Sequence, residues 1–254
     1  MDESRTVTSE TAPISQEPLL AVEGIEAGYG VMQVLWGVDL SVAIQQRVVL
    51  LGANGAGKST LLRAILGLLP TTGGSVRLRG EPITTMRTDR RIACGIGYMT
   101  ETGIFPELSV RENLLLGAFR LDAKTGKKNL ERAYDLFPVV SAHRKRPAGS
   151  LSGGQRKLVG VAKVLMGDPQ LIVMDEPSSG LSPIAVQEVI DGLRNVDQSG
   201  VSMLIAEQNI AFLDLAEQVV VLEGGRTQFC GSVEQLQADD SLRRAFFGLE
   251  GTPT

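Results

Sequence analysis

Apolar positions along the chain fall into two kinds of run. Short stretches at 48–51, 171–174, 201–205 and 219–222, interrupted only by Ser202, read as buried strands. Between them lie longer segments with helical spacing. Residues 59–68 carry Leu61, Leu62, Ile65 and Leu66, with Leu69 just beyond, and 156–166 and 184–196 read the same way. Strands alternating with helices predict an α/β core with a largely parallel sheet. Residues 110–146 differ. They show no strand pattern and are rich in Leu, Lys, Arg and Glu, so they are expected to form a helical insert. Residues 1–17 are polar and aperiodic, without the apolar core of a signal peptide. They and 251–254 are expected to be disordered tails.

Composition narrows the chemistry. The 254 residues include 25 Lys+Arg and 29 Asp+Glu, a net charge of −4, which argues against general phosphate neutralisation of a nucleic acid. The basic runs 143–146 and 124–128 contain no aromatic residue and are expected to be solvated. The one histidine, His143, excludes most zinc sites and leaves triad chemistry a single candidate. Cys94 and Cys230 form no spaced motif and are expected to be packing thiols in a reducing compartment. Trp36 and Phe137 are also expected to pack. No apolar run reaches the roughly 18–20 residues of a membrane span, and the lack of a signal-peptide core in 1–17 leads us to expect a cytoplasmic protein.

Three motifs carry chemistry. Gly52-Ala-Asn54-Gly55-Ala56-Gly57-Lys58-Ser59 lies between an expected strand and an expected helix. Its glycines let backbone N–H groups converge on a phosphate, and the helix adds its positive end. Lys58 supplies a cation, and the Ser59 hydroxyl is a hard ligand for Mg²⁺. Second, 171–174 is an apolar strand that ends in Asp175 and Glu176. That places a carboxylate for Mg²⁺ and a second one, able to accept a proton, at the edge where α/β sheets bind ligands. Third, Leu151-Ser152-Gly153-Gly154-Gln155 opens a helical stretch. Ser152 can cap it and also hydrogen-bond a phosphate, so it forms a second anion-binding helix start.

In this order, the three motifs resemble the signature of ABC-type ATP-binding cassettes, over about residues 19–248. The resemblance implies a P-loop NTPase core with an N-terminal antiparallel β subdomain. It places the ATP-binding domain at 18–250, with a helical subdomain at about 101–155. It implies ATP and Mg²⁺, and a head-to-tail dimer in which each ATP meets one subunit's phosphate loop and the other's Ser152–Gln155. Tyr29 sits where the family stacks an aromatic on adenine, and Asn54 to Thr60 where it holds phosphates. Glu101 falls near the family's usual Gln, which senses the γ-phosphate, and is a candidate around Mg²⁺. Ser182 stands where many members have Asp, in the loop that crosses the dimer. Gln208 stands where most carry a histidine. Either Gln208 donates to the γ-phosphate or the site relies on Glu176 alone.

The segments 205–209, 178–183 and 105–114 are similar to the second ATP-binding subunit of branched-chain amino-acid importers, whose relatives serve urea or short amides. That group implies a second ATP-binding subunit, two membrane permeases, a solute-binding protein and a place at the cytoplasmic face of the membrane, with no nucleic acid. The apolar run 114–119 would then be insert core, or partly a surface for a membrane subunit. An exporter cassette, a non-hydrolysing partner and an ABC ATPase acting on nucleic acid are weaker readings.

Overall fold

The structure is a computed structural model that describes residues 17–100, 103–197 and 200–242. The chain opens with β1 (Leu20–Tyr29) and β2 (Met32–Val42), a hairpin, followed by β3 (Arg47–Leu51). Then come α1 (Lys58–Leu66), β4 (Thr71–Leu78), β5 (Glu81–Pro82), α2 (Thr88–Ala93) and β6 (Ile96–Met99). Four helices follow: α3 (Val110–Gly117), α4 (Ala123–Leu136), α5 (Pro138–Ala142) and α6 (Gly153–Leu165). The remainder alternates as β7 (Leu171–Asp175), α7 (Pro183–Asp197), β8 (Ser202–Glu207), β9 (Gln218–Glu223), β10 (Arg226–Gly231) and α8 (Val233–Ala238).

Two sheets result. An antiparallel sheet runs β2-β1-β4-β5, and a six-stranded sheet runs β10-β9-β3-β8-β7-β6, parallel except for β10. The unbroken apolar strands are central because both their faces are covered. In β3, Val48 and Leu50 point to the core shared with α1 and the antiparallel sheet. Val49 and Leu51 point to the core shared with α6, α7 and the insert. Alternation along a strand sends neighbours to opposite faces, so one apolar run serves two cores.

The strand register positions the site. Leu51 pairs with Glu207 and Asp175 with Ala206, so β3, β7 and β8 end level. The loops that leave these three strands therefore emerge together at one edge of the sheet.

The insert is helical, as expected. Ser109 and Glu112 form a capping box on α3, and Asp122 caps α4. Buried Asn113 ties the approach loop to α3 by bonding both the N–H and the carbonyl of Phe105. Of the run 114–119, Leu114 and Ala118 are buried while Leu116 and Phe119 are exposed, so only one face packs. Arg144, Lys145 and Arg146 are solvated.

Three expectations fail. Cys94 and Cys230 are both exposed, because one ends the short α2 and the other lies on the edge strand β10. Trp36 is 42% exposed on β2, with the Arg226 guanidinium 5.6 Å from its ring centroid, whereas Phe137 is buried as expected. The helix expected to reach Leu68 ends at Leu66. Gly67 adopts φ 71° and its N–H turns back to the carbonyls of Ala64 and Arg63.

Buried Arg91 holds this helix end. Its Nη1 donates to the carbonyls of Ala64 (2.9 Å) and Ile65 (2.6 Å), its Nη2 to Thr84 and its Nε to Met86. Burial lowers its pKa, and it forms no ion pair among the described residues. Its stabilising role is therefore to satisfy carbonyls that a helix end leaves open. Arg91→Ala should cost about 3 kcal/mol, lowering the thermal midpoint by roughly 6–12 °C, while exposed Arg90→Ala should cost almost nothing. Equal midpoints for the two variants would contradict this role.

Candidate nucleotide-binding site

Residues 52–57 run from the end of β3 into α1. Gly57 is the N-cap of α1, with φ 108°, and a Cβ there would lie 3.0 Å from Leu35 and 3.4 Å from Leu222. Its backbone angle requires glycine, and the two leucines leave a side chain little room. The Gly225 N–H pins the loop by donating to the Ala56 carbonyl at 3.0 Å. Gly55, Gly57, Lys58, Ser59 and Thr60 line a cavity of about 260 Å³, with Val34 and Glu176 completing its wall. Asn54 and Ala56 flank an adjoining recess against Leu222.

Lys58 is the buried cation of this cavity. Its Nζ donates to the carbonyls of Gly52 (2.9 Å) and Ala53 (3.1 Å), and Glu176 Oε1 lies 3.3 Å away. Ser59 Oγ donates to Asp175 Oδ1 at 2.9 Å. The start of α1 and the end of β7 are thus joined twice, once by an ion pair and once by a hydroxyl. Burial pushes the Asp175 pKa up, the Ser59 bond opposes the shift, and the Glu176 charge reinforces it. A desolvated carboxylate beside a second carboxylate is a place where a cation is favoured.

Glu176 has φ 46°, an uncommon angle for a residue with a side chain. Its N–H donates to Ala206 of β8 at 2.9 Å, and its carbonyl accepts from Ser179. Strand pairing therefore continues one residue past β7 before the chain turns, and that turn directs the carboxylate to Lys58.

The second motif forms its own helix start. Ser152 Oγ accepts from the Gln155 N–H, and Gln155 Oε1 accepts from the Ser152 N–H, each at 3.2 Å. This capping box explains Gln155, which a simple cap does not. The glycines also have a reason within the chain. A Cβ on Gly153 would meet Leu181 at 2.7 Å, and one on Gly154 would meet Glu188 Oε2 at 2.8 Å. Gly153 lines a cleft of about 490 Å³ with Met99, Ile104, Arg156 and Ser179–Leu181. That cleft includes no phosphate-loop residue, and the phosphate-loop cavity includes none of 151–155.

Tyr29 ends β1 half exposed, and its hydroxyl accepts from Arg63 Nη1 of α1 at 3.0 Å. Gln208 is exposed directly after β8, and its N–H donates to Glu207. Glu101 lies outside the described residues. Among the described residues, no three His, Cys, Asp or Glu side chains cluster as a metal site. Three participants were not picked out from sequence: Arg63 beside Tyr29, Ser178 in the loop after Glu176, and Glu207. Only Glu207 left a signal, as a charged residue closing an otherwise apolar strand.

Comparison with known proteins matches this geometry. The sequence pattern of the ABC transporter family matches residues 35–179. The high-affinity branched-chain amino acid transport ATP-binding protein BraG of Pseudomonas aeruginosa is 32% identical, over 91% of this chain and 100% of that protein. LivF of Archaeoglobus fulgidus, a probable protein of the same kind, is 32% identical over 91% and 99%. The lipopolysaccharide export ATP-binding protein LptB of Haemophilus influenzae is 31% identical over 91% and 97%. Among solved structures, the ADP conformation of MJ1267, an ATP-binding cassette, superposes with a TM-score of 0.80 at 26% identity, covering 92% of this chain and 100% of that one. The cbiO1 cassette of Clostridium perfringens also gives 0.80 at 26%, over 91% and 94%. The chain belongs to the ABC transporter family, as an ATP-binding subunit whose cassette hydrolyses ATP.

Proposed function

We propose that this cassette powers an importer of branched-chain amino acids. The observation that supports its chemistry best is the double link at the sheet edge, Lys58 to Glu176 and Ser59 to Asp175. The choice of solute rests on the two branched-chain relatives. In this reading adenine stacks on Tyr29, and the backbone of 54–60 holds the phosphates with Lys58 as point charge. Glu176 accepts the proton of the attacking water, and Gln208 donates to the γ-phosphate. Ser152, Gly153, Gly154 and Gln155 face the phosphates of a second ATP-binding subunit, a reading supported by Gly153, which lines a cleft that includes no phosphate-loop residue.

Mg²⁺ fits the residues present. Ser59 and Asp175 are hard oxygen donors side by side, and the burial of Asp175 favours a neighbouring cation. Two protein ligands are usual for Mg²⁺, which keeps phosphate and water as its other partners. The ion would supply charge neutralisation on the phosphates. Glu101, near the same site in the family pattern, is proposed as a third group around it.

Family members of this kind work with membrane permeases. No helix among the described residues is long and apolar enough to cross a membrane. Attachment to the cytoplasmic face would therefore run through permease subunits. Exposed Phe105, Leu116 and Phe119 provide apolar surface on the insert side for that contact. The proposed tails (1–17 and 251–254) and the domain at 18–250, with its helical part at about 101–155, complete this arrangement.

Two measurements test this reading. Glu176→Gln should lower turnover by roughly 10²–10⁴ while ATP still binds, and a wild-type rate would remove Glu176 from the role of base. In the reconstituted complex, a leucine-loaded solute-binding protein should stimulate ATP hydrolysis. Stimulation by lipopolysaccharide instead would assign the chain to export, the activity named for the LptB relative. Stimulation by urea or a short amide would keep import and change the solute.

A further inference from the structure

β8 ends in a carboxylate that an apolar strand does not need. Glu207 is fully buried, and the five residues before it are buried as well. An unpaired carboxylate in such a place is costly, and replacing it by an apolar residue would remove that cost. Among the described residues no Lys, Arg or His pairs with it.

Its compensation comes from hydrogen-bond donors alone. Oε1 accepts from the Ser178 N–H at 2.7 Å. Oε2 accepts from the Ser178 hydroxyl at 2.9 Å, the Gln208 N–H at 3.1 Å and the Asn209 N–H at 3.3 Å. Burial raises its pKa and these bonds oppose the shift. The Glu207 carbonyl also accepts from the Gly52 N–H, at 3.3 Å. Every one of these donors belongs to a loop that meets the nucleotide in the proposed reading. Gly52 begins the phosphate loop, Ser178 lies two residues past Glu176, and Gln208 is the next residue along.

We propose that Glu207 is a positioning residue: its carboxylate locks the loop after Glu176 to the loop that carries Gln208, so that the two move as one unit. The consequence reaches further round the site. Leu181, three residues past Ser178, packs beside Gly153 at the Ser152 helix start. A displacement of residues 178–182 by a second cassette is therefore carried through Glu207 to Gln208 and, along the same loop, to Glu176. A dimer contact becomes an adjustment of the catalytic groups without touching ATP. Rigid hydrogen bonding to a buried charge suits this use, because such bonds are strong and directional in a low-dielectric interior. The inference rests on the proposed roles of Glu176 and Gln208.

Glu207→Gln is the direct test. The amide keeps the shape, but it accepts on one side only and sets an NH₂ group against N–H donors on the other. In the assembled transporter this variant should lower kcat by about 10-fold or more, while ATP affinity stays within about two-fold. Adding Gln208→Ala to it should cost less than about two-fold more, because Gln208 is already misplaced. The role is overturned by an unchanged kcat, by ATP affinity falling in parallel with kcat, or by losses from the two substitutions that multiply. If Glu207→Gln does not fold, Ser178→Ala carries the same criteria, since it removes one donor and leaves the strand intact. Glu176→Gln measured alongside separates the two levels. A full rate there overturns the site reading. A low rate there, with a full rate in Glu207→Gln, overturns only the positioning role.

Discussion

The site depends on one buried ammonium group held between two strand ends. Lys58 has almost no contact with solvent, so its charge needs partners within the protein. They are the carbonyls of Gly52 and Ala53 on one side and the Glu176 carboxylate on the other. Each partner is placed by the parallel sheet. Gly52 follows β3 and Glu176 follows β7, and β8 lies between them, in register with both. The left-handed turns at Gly57 and Glu176 then aim the groups inward. A cation held by one flexible loop would not be aimed this way. Held between two strand ends, it has a fixed position toward which phosphates can bind.

The same edge concentrates negative charge. Asp175, Glu176 and Glu207 are three carboxylates within the ends of two neighbouring strands. Burial pushes Asp175 and Glu207 toward the neutral form, but the two are compensated differently. Glu207 is saturated by four donors from its own chain. Asp175 has one hydroxyl and a like-charged neighbour, with Arg63 and Lys58 acting on it only as more weakly felt charges. The first pattern is that of a structural anchor and the second that of a group awaiting a cation.

Much of this was legible in the sequence. Apolar runs located β3, β7, β8 and β9, broken only by Ser202 in β8, because strands buried on both faces leave few polar positions to obscure them. The phosphate loop and the Asp175–Glu176 pair were visible because glycine, lysine and paired acids are unusual at strand ends. The antiparallel strands β1, β2 and β4 carry mixed patterns broken by bulges, so periodicity alone did not yield them. Neither the exposure of Cys230 nor the position of Trp36 could be read, since both depend on which strand lies at an edge, and that of Cys94 depends on where the short α2 ends. The long-range partners Arg63 to Tyr29 and Glu207 to Ser178 were invisible for a similar reason. Helix packing brings the first pair together and the β7–β8 register the second, neither of which local sequence records.

The central claim is that this chain carries two phosphate binders that serve two different nucleotides. Affinity of the isolated chain for ATP, compared between Lys58→Ala and Ser152→Glu, tests it directly. Lys58→Ala should abolish binding, while Ser152→Glu should leave it within about two-fold, because in the proposed arrangement Ser152 meets phosphate only across a dimer. A loss in Ser152→Glu equal to that in Lys58→Ala would place both motifs on one nucleotide and contradict the account.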